Sequence, residues 1–120
     1  MNTVNIDLSY LKTIASDDNS FISEMLTMIQ ASVSEEIGKI TSYYKEGNCL
    51  AIASTAHKIK APIQMINEHL LVDIVVEIET YCRDGKNKEL IPALIDEFND
   101  RFVKVNSKIT DVIEQLNAIK

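Results

Sequence analysis

Residues 91–116 read IPALIDEFNDRFVKVNSKITDVIEQL, and the spacing of their apolar side chains decides the fold. Ile91, Leu94, Ile95, Phe98, Phe102, Val105, Ile109, Val112 and Leu116, continued by Ile119, recur at steps of three and four. That period matches the turn of an α-helix, so one flank of the segment is apolar and the opposite flank is charged. Pro92 fits the first turn of such a helix, where an amide N–H would have no intrahelical acceptor.

Working backwards, the same period returns. Leu71, Ile74, Val75, Ile78 and Cys82 predict a helix that begins near Asn67 or Glu68 and stops at Asp84-Gly85. Before it, Ile52, Ala56, Ile59, Ile63 and Ile66 form one stripe. Earlier still, Ile22, Met25, Leu26, Ile29, Val33, Ile37, Ile40 and Tyr44 form another, closed by KEGN at 45–48. Gly47 suits a helix C-terminus and Asn48 an N-cap. A short leading helix in DLSYLKTIA, residues 7–15, ends at Asp17-Asp18, whose carboxylates suit the start of the next helix.

Short connections between long amphipathic helices imply antiparallel neighbours. The predicted fold is therefore all-α: an antiparallel up-and-down four-helix bundle with a short N-terminal leading helix. Three glycines, two prolines and no linker-like stretch predict a single domain over residues 1–120. A chain of this length buries roughly two-thirds of the surface it would expose unfolded.

Composition narrows the function. The net charge is −6, with no Lys/Arg cluster and no tryptophan, so a nucleic-acid partner is not expected. No long apolar run and no secretory signal are read, which predicts a cytoplasmic protein without membrane insertion. Cys49 and Cys82 lack metal-type spacing and read as reduced, half-buried thiols. Met25, Met28 and Met65 read as core or interface packing. His57 and His69 are twelve residues apart across a predicted helix break, without a companion ligand one turn away, so no metal site is expected. His69, beside Glu68, reads as a plain surface or packing residue.

The third helix contains one window of different character. AHKIKAP, residues 56–62, lies within a span from Asn48 to Asn67 that holds no Asp or Glu, where even scattering would place about three. On a wheel of about 100° per residue with Ile52 at the origin, His57 falls near 140°, off the apolar stripe. Ala53 and Ala61 flank it one turn away on either side, Gln64 lies near 120°, and Lys60 near 80° can reach toward the ring. Lys58 adds positive charge. An imidazole nitrogen is a competent nucleophile without a dedicated base, and an adjacent ammonium offsets charge on phosphoryl oxygens during in-line transfer.

These residues resemble the histidine-containing phosphotransfer domains of multistep two-component phosphorelays. That family's pattern is a small residue, the phosphorylated histidine, two positions, a lysine and a small residue. Ala56, His57, Lys60 and Ala61 match it. The resemblance implies that Glu79, in EIE at 77–79, stands where the family often has a carboxylate or amide that orients the imidazole. It further implies a phosphohistidine carrier rather than an enzyme acting alone, exchanging a phosphoryl group with the aspartate of receiver domains. A hybrid sensor kinase is a candidate further partner, and a monomer is expected. No intrinsic cofactor is implied; magnesium would belong to the partner receiver. The docking surface would comprise Ala53, Lys58, Ala61, Gln64 and Glu68.

The chain departs from the pattern at two places. Asn67 stands where the family has a glycine ten residues after the histidine, and Pro62 falls in what reads as mid-helix, predicting a bend. These departures keep open an alternative, a helical adaptor that binds receiver or kinase domains without transfer.

Overall fold

Between the helices, the backbone turns where left-handed residues stand. A computed structural model describes residues 6–118, so Ile119 and the first five residues lie outside the described chain. α1 spans Ser9–Ile14, α2 Asn19–Glu46, α3 Cys49–Gln64, α4 His69–Asp84 and α5 Ile91–Ala118, the last preceded by a 3₁₀ turn at Lys88–Leu90. Gly47 (φ 70°) and Gly85 (φ 67°) end α2 and α4 in the left-handed conformation that a Cβ disfavours. Asn67 adopts the same conformation (φ 54°) after α3, and Asn is the residue type that tolerates it next best after glycine.

The caps follow the expected chemistry. The Asp18 carboxylate accepts from the Phe21 N–H at 3.2 Å and the Asn48 side chain from the Ala51 N–H at 3.1 Å, each satisfying an orphan first-turn donor. α4 begins at His69, just after the expected start. Pro62 lies in the last turn of α3 rather than in mid-helix, so its missing N–H leaves only the Lys58 carbonyl without its i+4 donor. Pro92 occupies the first turn of α5.

α2, α3, α4 and α5 pack in chain order around a ring that closes with α5 against α2. Their apolar stripes meet in one core that includes Leu11, Ile22, Ile40, Ile59, Leu71, Ile78 and Phe98. Phe98 and Phe102 stack one turn apart with centroids 5.8 Å from each other. Between α2 and α5 the register is fixed by a polar contact, the Gln30 side-chain amide donating to the Asn106 carbonyl and the Thr110 hydroxyl. Tyr44, placed on the apolar stripe of α2, is instead exposed, and Met28 is exposed on the same helix rather than in the core.

The bundle is built from two long and two short helices. α2 and α5 have 28 residues each, α3 and α4 only 16, so the outer pair runs roughly 18 Å beyond the inner pair. α1 lies at that overhang, and the Asp7 N–H donates to the Ile66 carbonyl at 2.9 Å, tying the N-terminal segment to the α3–α4 turn. Among the described residues, no helix is long and apolar enough to cross a membrane.

Candidate functional site

α3 is sandwiched between α2 and α4, so most of its circumference is covered and only one strip remains in water. That strip carries Leu50, Ser54, His57, Ala61 and Gln64. His57 stands on it with its side chain 62% exposed, while its neighbour Ala56 is wholly buried. The backbone under the ring is thus held by the core while the ring itself faces solvent.

Glu79 reaches this ring from α4. Its side chain is only 10% exposed, and its Oε2 lies 3.2 Å from His57 Nδ1. The same carboxylate accepts from Lys60 Nζ at 3.1 Å and from Arg83 Nη2 at 2.7 Å and Nε at 3.0 Å. Burial alone would raise the Glu79 pKa, but the hydrogen bonds and charges of Lys60 and Arg83 outweigh it and hold the carboxyl below its ordinary value. The group is therefore an anion near neutral pH. An ionised carboxylate can only accept, so Nδ1 is the donor in this contact, and in the neutral ring Nε2 is the nitrogen that keeps a free lone pair.

The charge pattern is more structured than the acid-free window implied. One carboxylate, brought in from a different helix, pairs with both Lys60 and Arg83, so two cations are anchored on a single anion while Lys58 stands exposed on α3 beside them. Lys60 has three N–H donors and spends one on Glu79, which leaves others for an oxygen arriving at the imidazole. Sequence reasoning missed Arg83; the only trace was an i,i+4 acid–base pair with Glu79, a spacing common on any helix.

Of the expected docking residues, Lys58, Ala61 and Gln64 are exposed. Two are corrected. Ala53 is 4% exposed, because the arc of α3 covered by α2 and α4 is wider than its apolar stripe and a methyl group cannot reach past it. Glu68 is 3% exposed and receives Arg101 through both guanidinium edges, Nε to Oε1 at 2.9 Å and Nη2 to Oε2 at 3.3 Å. Leu50, one helical line and seven residues from His57, is 82% exposed and was overlooked because it lies off the apolar stripe. At the far end of the strip, Tyr10, Ala61, Gln64 and Met65 line a depression of about 390 Å³.

His69 is exposed at the first turn of α4, and among the described residues no group of three or more His, Cys, Asp or Glu side chains is placed to hold a metal ion. Cys49 and Cys82 are free thiols. Burial, reinforced by the facing Cys49 thiol, pushes Cys82 up to about 12, which keeps it protonated and unreactive.

No family model matches the chain, and no curated protein matches its sequence. Among solved structures, the crystal structure of histidine-containing phosphotransfer protein B from Pseudomonas aeruginosa PAO1 is similar to it. The two are 19% identical, with a TM-score of 0.84 over 95% of this chain and 98% of that one. At that identity the likeness concerns the fold: the five-helix arrangement of this chain is the one adopted by a histidine-containing phosphotransfer protein.

Proposed function

We propose that this protein is a phosphohistidine carrier of a two-component relay, with His57 as the residue phosphorylated. The observation that carries the reading is the exposed imidazole whose Nδ1–H is held by an ionised, largely buried Glu79. In the reaction, the Nε2 lone pair attacks the phosphorus of a receiver's aspartyl phosphate. The N–P bond forms as the P–O bond to the aspartate breaks, and that electron pair leaves with the carboxylate. With Nδ1 protonated and Nε2 bonded to phosphorus the ring is cationic, and Glu79 balances that charge. Lys60 offers a free N–H to the phosphoryl oxygens. The return step runs the same bonds in reverse toward a second receiver.

Magnesium and the remaining catalytic groups belong to the receiver, so this chain is a carrier without kinase activity of its own, acting as a cytoplasmic monomer. A hybrid sensor kinase supplying one of the receivers is part of the same reading. The docking strip is Leu50, Ser54, Ala61 and Gln64 with Tyr10 and Met65, in which the small side chains beside His57 leave room for a cleft to close over the ring. What supports transfer over the adaptor reading is that both departures from the family pattern sit where they cost little: Pro62 in a last helical turn and Asn67 at a left-handed position.

The test is incubation with a receiver carrying labelled aspartyl phosphate. Acid-labile, base-stable label should appear on this chain and be lost in His57→Gln. Retention of label by that variant overturns the assignment. Lys60→Ala should stay folded and accept label about tenfold more slowly, the loss of one charge-assisted contact in the transition state.

A further inference from the structure

A second surface lies on the other side of α4. Leu70, Asp73, Ile74 and Glu77 recur at helical spacing and line a groove of about 780 Å³ shared with α5. On the α4 wheel these residues lie about 120–180° from Glu79, so the groove opens away from the His57 strip. Its floor is apolar: Ile74 and Leu94 are buried beneath it, and Leu70 stands half-exposed at its mouth.

The rims are acidic to a degree the bundle does not require. Asp73 and Glu77 are like charges four residues apart on α4, and Asp96 and Asp100 repeat that arrangement on α5, with Glu97 beside them. Pairs of that kind destabilise a helix rather than support it. The cations at the groove do little to relieve them, since Arg101 is committed to Glu68 and only Lys104 remains. The molecule is thus electrically two-faced, positive around His57 and negative here.

We infer that the α4–α5 groove is a docking site for a cationic amphipathic helix of a partner protein. Its apolar side chains would occupy the floor between Leu70 and Leu94, while its Lys or Arg residues meet the two carboxylate rims. The groove spans residues 70–77 of α4 and 93–104 of α5, which accommodates about three turns of helix. Charge complementarity selects this occupant, because an acidic rim repels nucleic acid and anionic lipid. The site is separate from His57, so a receiver and the helical partner can be held at once.

Fluorescence anisotropy with a labelled amphipathic peptide of about 18 residues, built from Lys and Leu, and the full chain tests this. Binding should be saturable, one to one, and weakened by salt. Asp96→Lys/Asp100→Lys should weaken it about tenfold, and a peptide with Ser in place of Leu should bind at least as poorly. His57→Gln should bind the peptide like wild type, so failure of the relay reading leaves this result standing. The inference is overturned by absence of saturable binding, by indifference to the Asp96/Asp100 substitutions in a folded variant, or by equal affinity for the Ser-containing peptide.

Discussion

Glu68 and Glu79 are both buried carboxylates presented by the α4 region, yet they are satisfied in opposite ways. Glu68 is met by one guanidinium, nearly as buried as itself, in a two-pronged contact that joins the α3–α4 turn to α5. Glu79 is shared among three donors, one of them the ring of a solvent-facing histidine. A closed pair of the first kind fixes geometry and does nothing else. A carboxylate of the second kind has one partner free to change its charge, and the other two keep it anionic while that happens. The difference teaches that burial alone does not set the two carboxylates apart; whether one of the partners can change its charge does.

The largest effect should come from opening the closed pair. Arg101→Ala leaves Glu68 buried without a counter-charge and should cost about 3 kcal/mol in a urea melt, lowering Tm by more than about 10 °C on the scale of about 4 °C per kcal/mol. Glu68→Leu/Arg101→Met, which removes both charges, should recover most of that loss. A double variant as weak as the single one would show that the contact matters for shape rather than charge.

Glu79→Gln should separate the two regions. It keeps a hydrogen-bonding side chain over Lys60 and Arg83, so its stability should fall by only about 1 kcal/mol. Phosphoryl acceptance by His57 should nevertheless fall about tenfold, because the ring loses its charged partner. If this variant melts as badly as Arg101→Ala, the contrast between the carboxylates disappears.

Acid sharpens the same contrast. The folded-state pKa of Glu79 is depressed below the ordinary 4.5. Its stabilisation is therefore fully present above that ordinary value and is lost as pH falls through the depressed one. The stability gap between wild type and Glu79→Gln should therefore be larger at about pH 5 than in more acidic solution, as followed by urea melts from about pH 5 downward. A gap that widens on acidification would reverse the sign of the argument.

The smallest effect belongs at the turn between the two sites. Asn67→Gly relieves a left-handed backbone and should add about 0.5 kcal/mol by thermal melt, leaving phosphoryl acceptance unchanged.

The helices were legible because each buries one continuous stripe, and a period of three and four residues survives in the letters from Ile22 to Leu116. His57 was legible as an outward residue for the same reason, since it breaks the stripe of its own helix. Glu79 was named through the resemblance; the helix wheel sets it about 80° from the Leu71 stripe, which permits a lean toward α3 but does not single it out from other glutamates on helix surfaces. Arg101 was invisible as the partner of Glu68, as the two stand 33 positions apart and meet only when α5 packs. Ala53 was misplaced because a wheel describes one helix, while burial on α3 is set by the two helices that enclose it. The carboxylates of the α4–α5 groove come from two helices, and they gather around one groove only when those helices are set side by side.

The overhang of α2 and α5 beyond the shorter inner pair has a last consequence. α1, which covers that end, sinks a single large side chain, Leu11, into the core. Segments with so small a stake detach and re-anneal many times before the remainder loosens. Amide protons there should therefore trade with deuterated water long before those beneath His57, whose footing in α3 is among the last parts of the molecule to let go.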